Sequence, residues 1–419
     1  MTMINAAPRD DFRLSMLIYD TRYRAITIQL FVLALVLAAI WWLGSNLQAN
    51  LEAKGRPLSF EFLWSRAGYD IGQTFIPYTS DSTHFRAMLV GLLNTLVLAL
   101  FGCLFATIIG VIVGVLRLSK NWLVALLTSI YVEIFRNIPL LLWILVIFVP
   151  LYEMTPAPNA FKVTDEMIAS GTEPAASMIL GGTVAVTNRG TYIPGFLFDR
   201  GFEAGWMTTL AIFLVIAGSL AVHLTLNARA RRVQEATGVR PTTWWKSLIV
   251  LFAPLVLVLW ALGFHLDIPQ PPTRFNFEGG VVVQNPFVAM LIALSLYTGA
   301  FIAEIVRAGI QSVSRGQTEA AFALGLRPNR TMNLVILPQA LRVIIPPLIS
   351  QFLNLTKNTS LGIAASYADL RGTLGGVTLN QTGREVEAML LMMLIYLSIS
   401  LIISSLMNVY NRSVQLKER

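Results

Sequence analysis

The feature that most constrains this chain is the arrangement of its apolar residues, which come in unbroken runs. They lie near Ile26 to Leu43, Met88 to Leu116, Trp122 to Pro150, Trp206 to Leu226, Ser247 to His265, Pro286 to Ile310, Ala340 to Lys357 and Ala388 to Tyr410. Each approaches the ~20 residues that a helix needs to cross a bilayer, so the runs predict about eight transmembrane helices. Lipid offers no partner to a bare peptide group, so a chain built of such runs folds as helices whose backbone bonds close within each segment. Composition agrees, with 55% hydrophobic residues, 13% charged residues and a mean hydropathy of +0.65. The expected fold class is an all-α integral membrane protein.

The net charge of +8 is then read by location, because Lys and Arg collect on cytoplasmic loops. With both termini inside, the internal segments hold Arg9, Arg13, Arg22, Arg24, Arg117, Lys120, the cluster Arg229, Arg231, Arg232, Arg240 and Lys246, then Arg315, Arg327, Arg330, Arg342, Arg412, Lys417 and Arg419. The external ones hold fewer: Lys54, Arg56, Arg66, Arg86, Lys162, Arg189, Arg200, Arg274, Arg371 and Arg384. The bias expects a multi-pass membrane protein with both termini in the cytoplasm, with membrane lipid and not nucleic acid as its surroundings. The first run has a long charged lead and ends at Trp41 and Trp42, so it reads as a retained anchor and not as a cleaved signal. Cys103 is the one cysteine, and His84, His223 and His265 lack metal-ligand spacing, so neither a disulfide framework nor a metal site is expected.

Loop composition divides the chain. Residues 1–25 form a cytoplasmic lead, 26–87 the first helix with an external segment showing little core of its own, and 88–150 a pair of spans. Residues 151–285 enclose two further spans between an extended outer loop and an outer linker rich in Pro and Gly. Residues 286–419 hold the last three spans, the middle one carrying Pro346-Pro347, which predicts a bend or break. Gly102, Ala106, Gly110 and Gly114 repeat every fourth residue, a stripe that admits a second helix closely.

One polar and basic interruption stands out, Glu319 to Pro338, within a cytoplasmic segment of 311–340. Glu319 to Leu324 favours helix, Gly325 stands where a left-handed residue ends it, Arg327-Pro328-Asn329 turns the chain, and helix resumes from Thr331. The product is a small helical knuckle facing water. Glu319, Ala320, Ala321, Gly325, Leu337 and Pro338 have the spacing of the EAA loop of ABC-importer permeases, which this stretch resembles, with Val335 where isoleucine is usual.

Four further stretches resemble the polar amino-acid subfamily of those permeases: Gly91 to Leu96, Phe135 to Leu140, Tyr297 to Ile310 and Leu337 to Leu361. The resemblance implies a type I importer permease core of five transmembrane helices, here enlarged by about three, a layout similar to the longer Q-type subunits of general L-amino-acid importers. It also implies a second permease subunit, ABC ATPase subunits docked on the loop, and a periplasmic amino-acid-binding protein. Glutamate, glutamine, aspartate and asparagine are the leading cargoes it implies. No phosphate-cradling G-x-x-x-x-G-K-[ST] occurs, so no cofactor is expected on this chain, and ATP and Mg would be used by the partner ATPase. An ion-coupled secondary transporter and an intramembrane enzyme share the composition; the docking loop, and the lack of a nucleophile with a base, argue against them.

Charges inside apolar spans cost about 2.5–3.5 kcal/mol each at the bilayer centre and so mark a candidate path. Arg136 with Asn137, Tyr297 with Glu304, and Lys357 with Asn358, Thr359 and Ser360 are the candidates for substrate contact. Glu133 precedes Arg136, and Glu304 precedes Arg307, by one helical turn, so local ion pairs are the competing reading. Lys357 has no carboxylate within a turn.

Overall fold

A computed structural model describes residues 18, 21–163, 165–171, 173–200, 205–239, 241–272 and 275–414. Most of the cytoplasmic lead, together with Arg240, Arg274, Lys417 and Arg419, lies outside them. Among the described residues seven helices are long and apolar enough to cross a membrane, and a bent pair makes up to eight. The spanning elements are α1 (Thr21–Ala53), α2 (His84–Leu116), the pair α3 (Trp122–Asn137) and α4 (Leu140–Glu153), α5 (Gly205–Thr237), α6 (Trp244–Ala261) and α7 (Asn285–Gln311). After the short α8 (Arg315–Ala323) come α9 (Leu337–Asn358) and α10 (Glu385–Val414).

The centre is α2 packed along α7, with α3, α4 and α9 around them; Leu98, Ala106, Ile302, Val306, Ile344 and Leu355 are among its buried residues. The small-residue stripe makes this contact. A Cβ placed on Gly110 would lie 2.5 Å from Ile302 Cβ, and one on Gly114 would lie 2.7 Å from the Ala303 carbonyl oxygen. Gly110→Ala is therefore expected to destabilise the protein by about 1–3 kcal/mol through overpacking. Gly218→Ala on α5, where a Cβ meets nothing within 4 Å, should leave the thermal midpoint in detergent unchanged. Equal midpoints for the two variants would remove the packing role.

Two elements depart from the sequence reading. The single span expected over Trp122 to Pro150 is two helices meeting at 104°. Ile138, ahead of Pro139, is pushed out of the helical region to φ −100°, ψ 133°, because the proline ring crowds the preceding backbone. Of the bend or break expected at Pro346-Pro347, the break does not occur, and α9 runs as one helix from Leu337 to Asn358. Adjacent prolines forfeit neighbouring ladder bonds only; Pro346 and Pro347 are themselves exposed, while Ile344, Ile345 and Ile349 anchor the other face of the same turns in the bundle.

The segments expected outside the membrane are also more ordered than their composition suggested. Residues 54–83 fold back as a cap, burying Ala67 and Ile71 against Ala87 and Val90 of α2. The loop and linker flanking α5 and α6 join each other. β1 (Ala185–Thr187), β2 (Gly190–Ile193) and β5 (Val281–Val283) form one antiparallel sheet in the order β1-β2-β5, and β3 (Gly195–Phe198) pairs with β4 (Phe264–Asp267). β-Branched residues supply most of β1, β2 and β5, while Phe196, Leu197, Phe198, Phe264 and Leu266 supply β3 and β4; Phe161 and Phe277 pack against Tyr192 of β2, with Tyr192 and Phe277 centroids 4.4 Å apart. Between these strands α5 and α6 pack chiefly on each other, and α6 has no buried residue.

Candidate functional site

The knuckle follows α7 directly. Ser314 precedes α8, and Gly325 ends it at φ +75°. The Leu326 amide donates to the Ala321 carbonyl (3.1 Å) and the Gly325 amide to that of Phe322 (2.9 Å). This double closure is the left-handed helix stop that glycine adopts without a Cβ penalty. One turn at Pro328–Thr331 and a wide turn over Met332–Ile336 lead into α9. Gln339 holds the two arms together, its Nε2 donating to the Val335 carbonyl (2.9 Å) and to Gln317 Oε1 (3.4 Å).

Of the six motif residues, Ala321 is buried while Glu319, Ala320, Gly325, Leu337 and Pro338 are exposed. Leu324 at the tip is 82% exposed, beside exposed Phe322 and Leu334 and the exposed Arg327 and Arg330. The knuckle thus ends in a small apolar tip rimmed by exposed charge.

The membrane charges sort into three situations. Glu304 accepts from both Arg117, at the end of α2, and Arg307, one turn along α7, while Arg117 Nε also donates to Ser129 Oγ of α3 at 3.3 Å. Glu304 thus ties three helices together near the root of the knuckle. The local ion pair read for it is present, and Arg117 is a further partner that sequence spacing could not reveal.

Arg136 behaves differently. No ion pair within 4 Å joins it to Glu133 among the described residues; Glu133 accepts instead from Asn137 Nδ2 at 3.2 Å. Arg136 lies over the Phe301 ring, 5.4 Å from its centroid, and Tyr297 packs on the same ring at 5.1 Å. The expected Glu133–Arg136 pair is replaced by a cation–π contact from the neighbouring helix.

Lys357 lines a cleft of about 280 Å³ with Ser360, Arg371, Met392 and Tyr396. Arg371 Nη1 approaches the Ser360 carbonyl at 3.5 Å, and the Ser360 hydroxyl donates to that of Lys357 at 2.7 Å. Two cations therefore face one opening. Nearby, Asp369 is buried and held by the Gly372 amide (2.8 Å) and the Tyr396 hydroxyl (3.1 Å). Burial pushes its carboxyl up to about 6 against the pull of those donors.

Asn358 is half-buried beside this cleft, whereas Thr359 is buried with its hydroxyl donating to the Thr356 carbonyl at 2.9 Å. Arg136, Asn137, Tyr297 and Glu304 are not among the cleft's lining residues. Arg371 and Tyr396 were missed by the sequence reading, which took Arg371 as an external topology charge; only the fold brings it to Lys357.

The matches to known proteins agree with this architecture. Residues 240–416 match the family of binding-protein-dependent transport system inner membrane components. The glutamate/glutamine/aspartate/asparagine transport system permease protein BztB of Rhodobacter capsulatus is 62% identical over 427 residues, covering 100% of both chains. The general L-amino acid transport system permease protein AapQ of Rhizobium johnstonii is 42% identical, covering 96% of this chain and 94% of its own. A putative amino-acid ABC transporter permease protein of Escherichia coli, YhdX, is 39% identical over 94% of this chain and 95% of its own. With relatives matched along the full chain, spans enough for a multi-pass fold and an exposed knuckle between α7 and α9, the chain belongs to the binding-protein-dependent transport system inner membrane components, the permease subunits of ABC transporters.

Proposed function

We propose that this chain forms one half of the membrane pathway of an ATP-driven importer for polar L-amino acids, with glutamate, glutamine, aspartate and asparagine as the leading cargoes. The observation that carries the reading is the knuckle itself, a helix stopped at Gly325 with exposed Leu324 and Phe322 at its tip, rooted where Glu304 joins α2, α3 and α7. Pushing such a tip moves several spans together. The cargo is supported by the relative that is 62% identical along the whole chain, a glutamate/glutamine/aspartate/asparagine transport system permease.

In this reading the knuckle seats in an ABC ATPase subunit, which supplies the site for ATP and Mg. A second permease subunit completes the pathway and a periplasmic binding protein delivers the amino acid. The protein sits in the inner membrane with both termini in the cytoplasm. Alternating access moves helix groups about a midplane site, and the cationic cleft at Lys357 and Arg371, with Asn358 and Ser360, is the part of the path that takes the substrate carboxylate. Arg136, Asn137 and Tyr297 form a separate stretch of the wall. Helices α5 and α6, which pack chiefly on each other, stand outside the path.

The test is reconstitution of the chain with its co-purifying subunits in proteoliposomes, followed by uptake of labelled L-glutamate and L-glutamine. Uptake that needs internal-face ATP and the binding protein, and persists when ion gradients are collapsed, is the expected result. Uptake driven by an ion gradient without ATP would overturn the proposal.

A further inference from the structure

The end of α1 and the start of α10 form a pocket of about 220 Å³, lined by Lys54, Arg56, Gly383, Arg384, Glu385 and Glu387 among others. Bonds across it fix its walls. Arg384 Nη1 donates to the Pro57 carbonyl at 2.7 Å and pairs with the buried Glu387 at 3.2 Å, and Glu387 also accepts from the Ser59 amide at 3.3 Å. Arg56 is drawn over the turn that starts α10, its Nη1 3.4 Å from the Gly383 carbonyl oxygen.

Arg384 and Glu387 neutralise each other. That leaves Lys54, Arg56 and Glu385, all exposed and none of them in an ion pair among the described residues. In the orientation proposed above these charges stand on the external side, where the positive-inside bias gives no reason for cations.

Four residues along α10 from Glu387 begins a groove of about 520 Å³ between α2 and α10, lined by Leu92, Leu96, Leu391, Leu394, Ser398 and Ile402 among others. Ser398 is its one polar side chain. Glu387, Leu391, Leu394, Ser398 and Ile402 recur at the spacing of a single helix face, so pocket and groove share one side of α10. From Leu391 to Ile403, the last lining residue, the groove runs about 18 Å at the rise of an α-helix. One leaflet of hydrocarbon is about 15 Å deep, half of the core of a bilayer. The groove therefore has the depth of one acyl layer, with the charged pocket at its head.

The occupant that fits has an apolar tail and a head carrying both signs. A phosphodiester complements Lys54 and Arg56, and an ammonium complements Glu385. A head with negative charge alone would leave Glu385 beside like charge. We propose that pocket and groove together bind one aminophospholipid, its phosphate on Lys54 and Arg56, its ammonium on Glu385 and an acyl chain along α10. The lipid would join α1, whose apolar stretch is unburied within the chain, to the core.

The test is native mass spectrometry of the full chain with its co-purified subunits, loaded from an equimolar mixture of dioleoyl phosphatidylethanolamine and dioleoyl phosphatidylglycerol. Wild type should retain the amine lipid about tenfold over the glycerol lipid, the scale of one charge-assisted hydrogen bond. Glu385→Gln should erase that preference, and Arg56→Gln should lower retention of both lipids by about tenfold. Lys54→Gln should act like Arg56→Gln, and it touches none of the bonds that fix the walls. A photoreactive maleimide attached in Leu394→Cys should crosslink to lipid. Equal retention of the two lipids by wild type, or unchanged retention in both Arg56→Gln and Lys54→Gln, would overturn the site. Displacement of the lipid by equimolar glycerophosphoethanolamine or inorganic phosphate would also overturn it, because the groove would then contribute nothing. So would crosslinking from position 394 to a second permease subunit, which would put protein in the groove, or loss of docking by the loaded binding protein in Lys54→Gln, which would make the pocket a protein contact.

Discussion

Gly325→Val is expected to abolish coupling while leaving the protein inserted and folded. At φ +75° a Cβ on residue 325 would meet nothing within 4 Å, so the substitution creates no clash. Its whole effect is on the backbone, where a β-branched residue in the left-handed region costs about 1–3 kcal/mol. That cost is enough to depopulate the knuckle conformer by about 5- to 150-fold. The two closing bonds, Leu326 to Ala321 and Gly325 to Phe322, are what the variant would lose. Uptake and the ATPase stimulation caused by loaded binding protein should fall together, with expression and thermal midpoint preserved. Gly325→Asn should retain more activity, since asparagine tolerates this conformation. Normal uptake and normal stimulation in the valine variant would separate the knuckle from coupling.

Lys357→Met is expected to reduce uptake by roughly 10- to 100-fold, the equivalent of one charge-assisted hydrogen bond of about 1.5–3 kcal/mol. Lys357 and Arg371 face the same cleft, and on our proposal the substrate carboxylate is their shared partner. Methionine keeps the length and apolar stem of lysine, so packing at the end of α9 changes little. ATPase stimulation by the loaded binding protein should persist, because the knuckle is untouched. Unchanged uptake kinetics in Lys357→Met would sink the pathway role, and recovery in Lys357→Arg would strengthen it.

The runs of apolar residues made the spans readable, since backbone hydrogen bonding in lipid leaves few alternatives to a helix. The knuckle was readable for a related reason. Gly325, Pro328 and the Ala-rich Glu319 to Leu324 act within a few residues of themselves, so local chemistry suffices. Side chains that meet across helices were not readable. Arg117 reaches Glu304 from 187 residues away, and Arg136 chose Phe301 over Glu133 because α7 lies beside it. The outer strands were hidden because three- and four-residue segments such as Val281–Val283 carry no period; pairing with Thr191 to Ile193 is what makes them strands.

The 104° turn at Ile138-Pro139 is a property of one residue pair, whereas the bond from Asn285 to Leu151 concerns the path of the whole chain. It brings together residues 134 positions apart at 3.1 Å. The last turn of α4 and the first residue of α7 therefore touch, and everything between them leaves and returns through the same doorway. Such an insertion needs no rethreading of the helices it interrupts. The loop that replaced it would close over a few residues, at little more entropic expense than any tight connection. If residues 151–285 are an insert, a shortened chain joining Thr155 directly toward Gln284 is expected to keep the order of α2, α3, α4, α7, α9 and α10 and still to insert, and loss of membrane insertion in that chain would show that the segment is not a removable cassette.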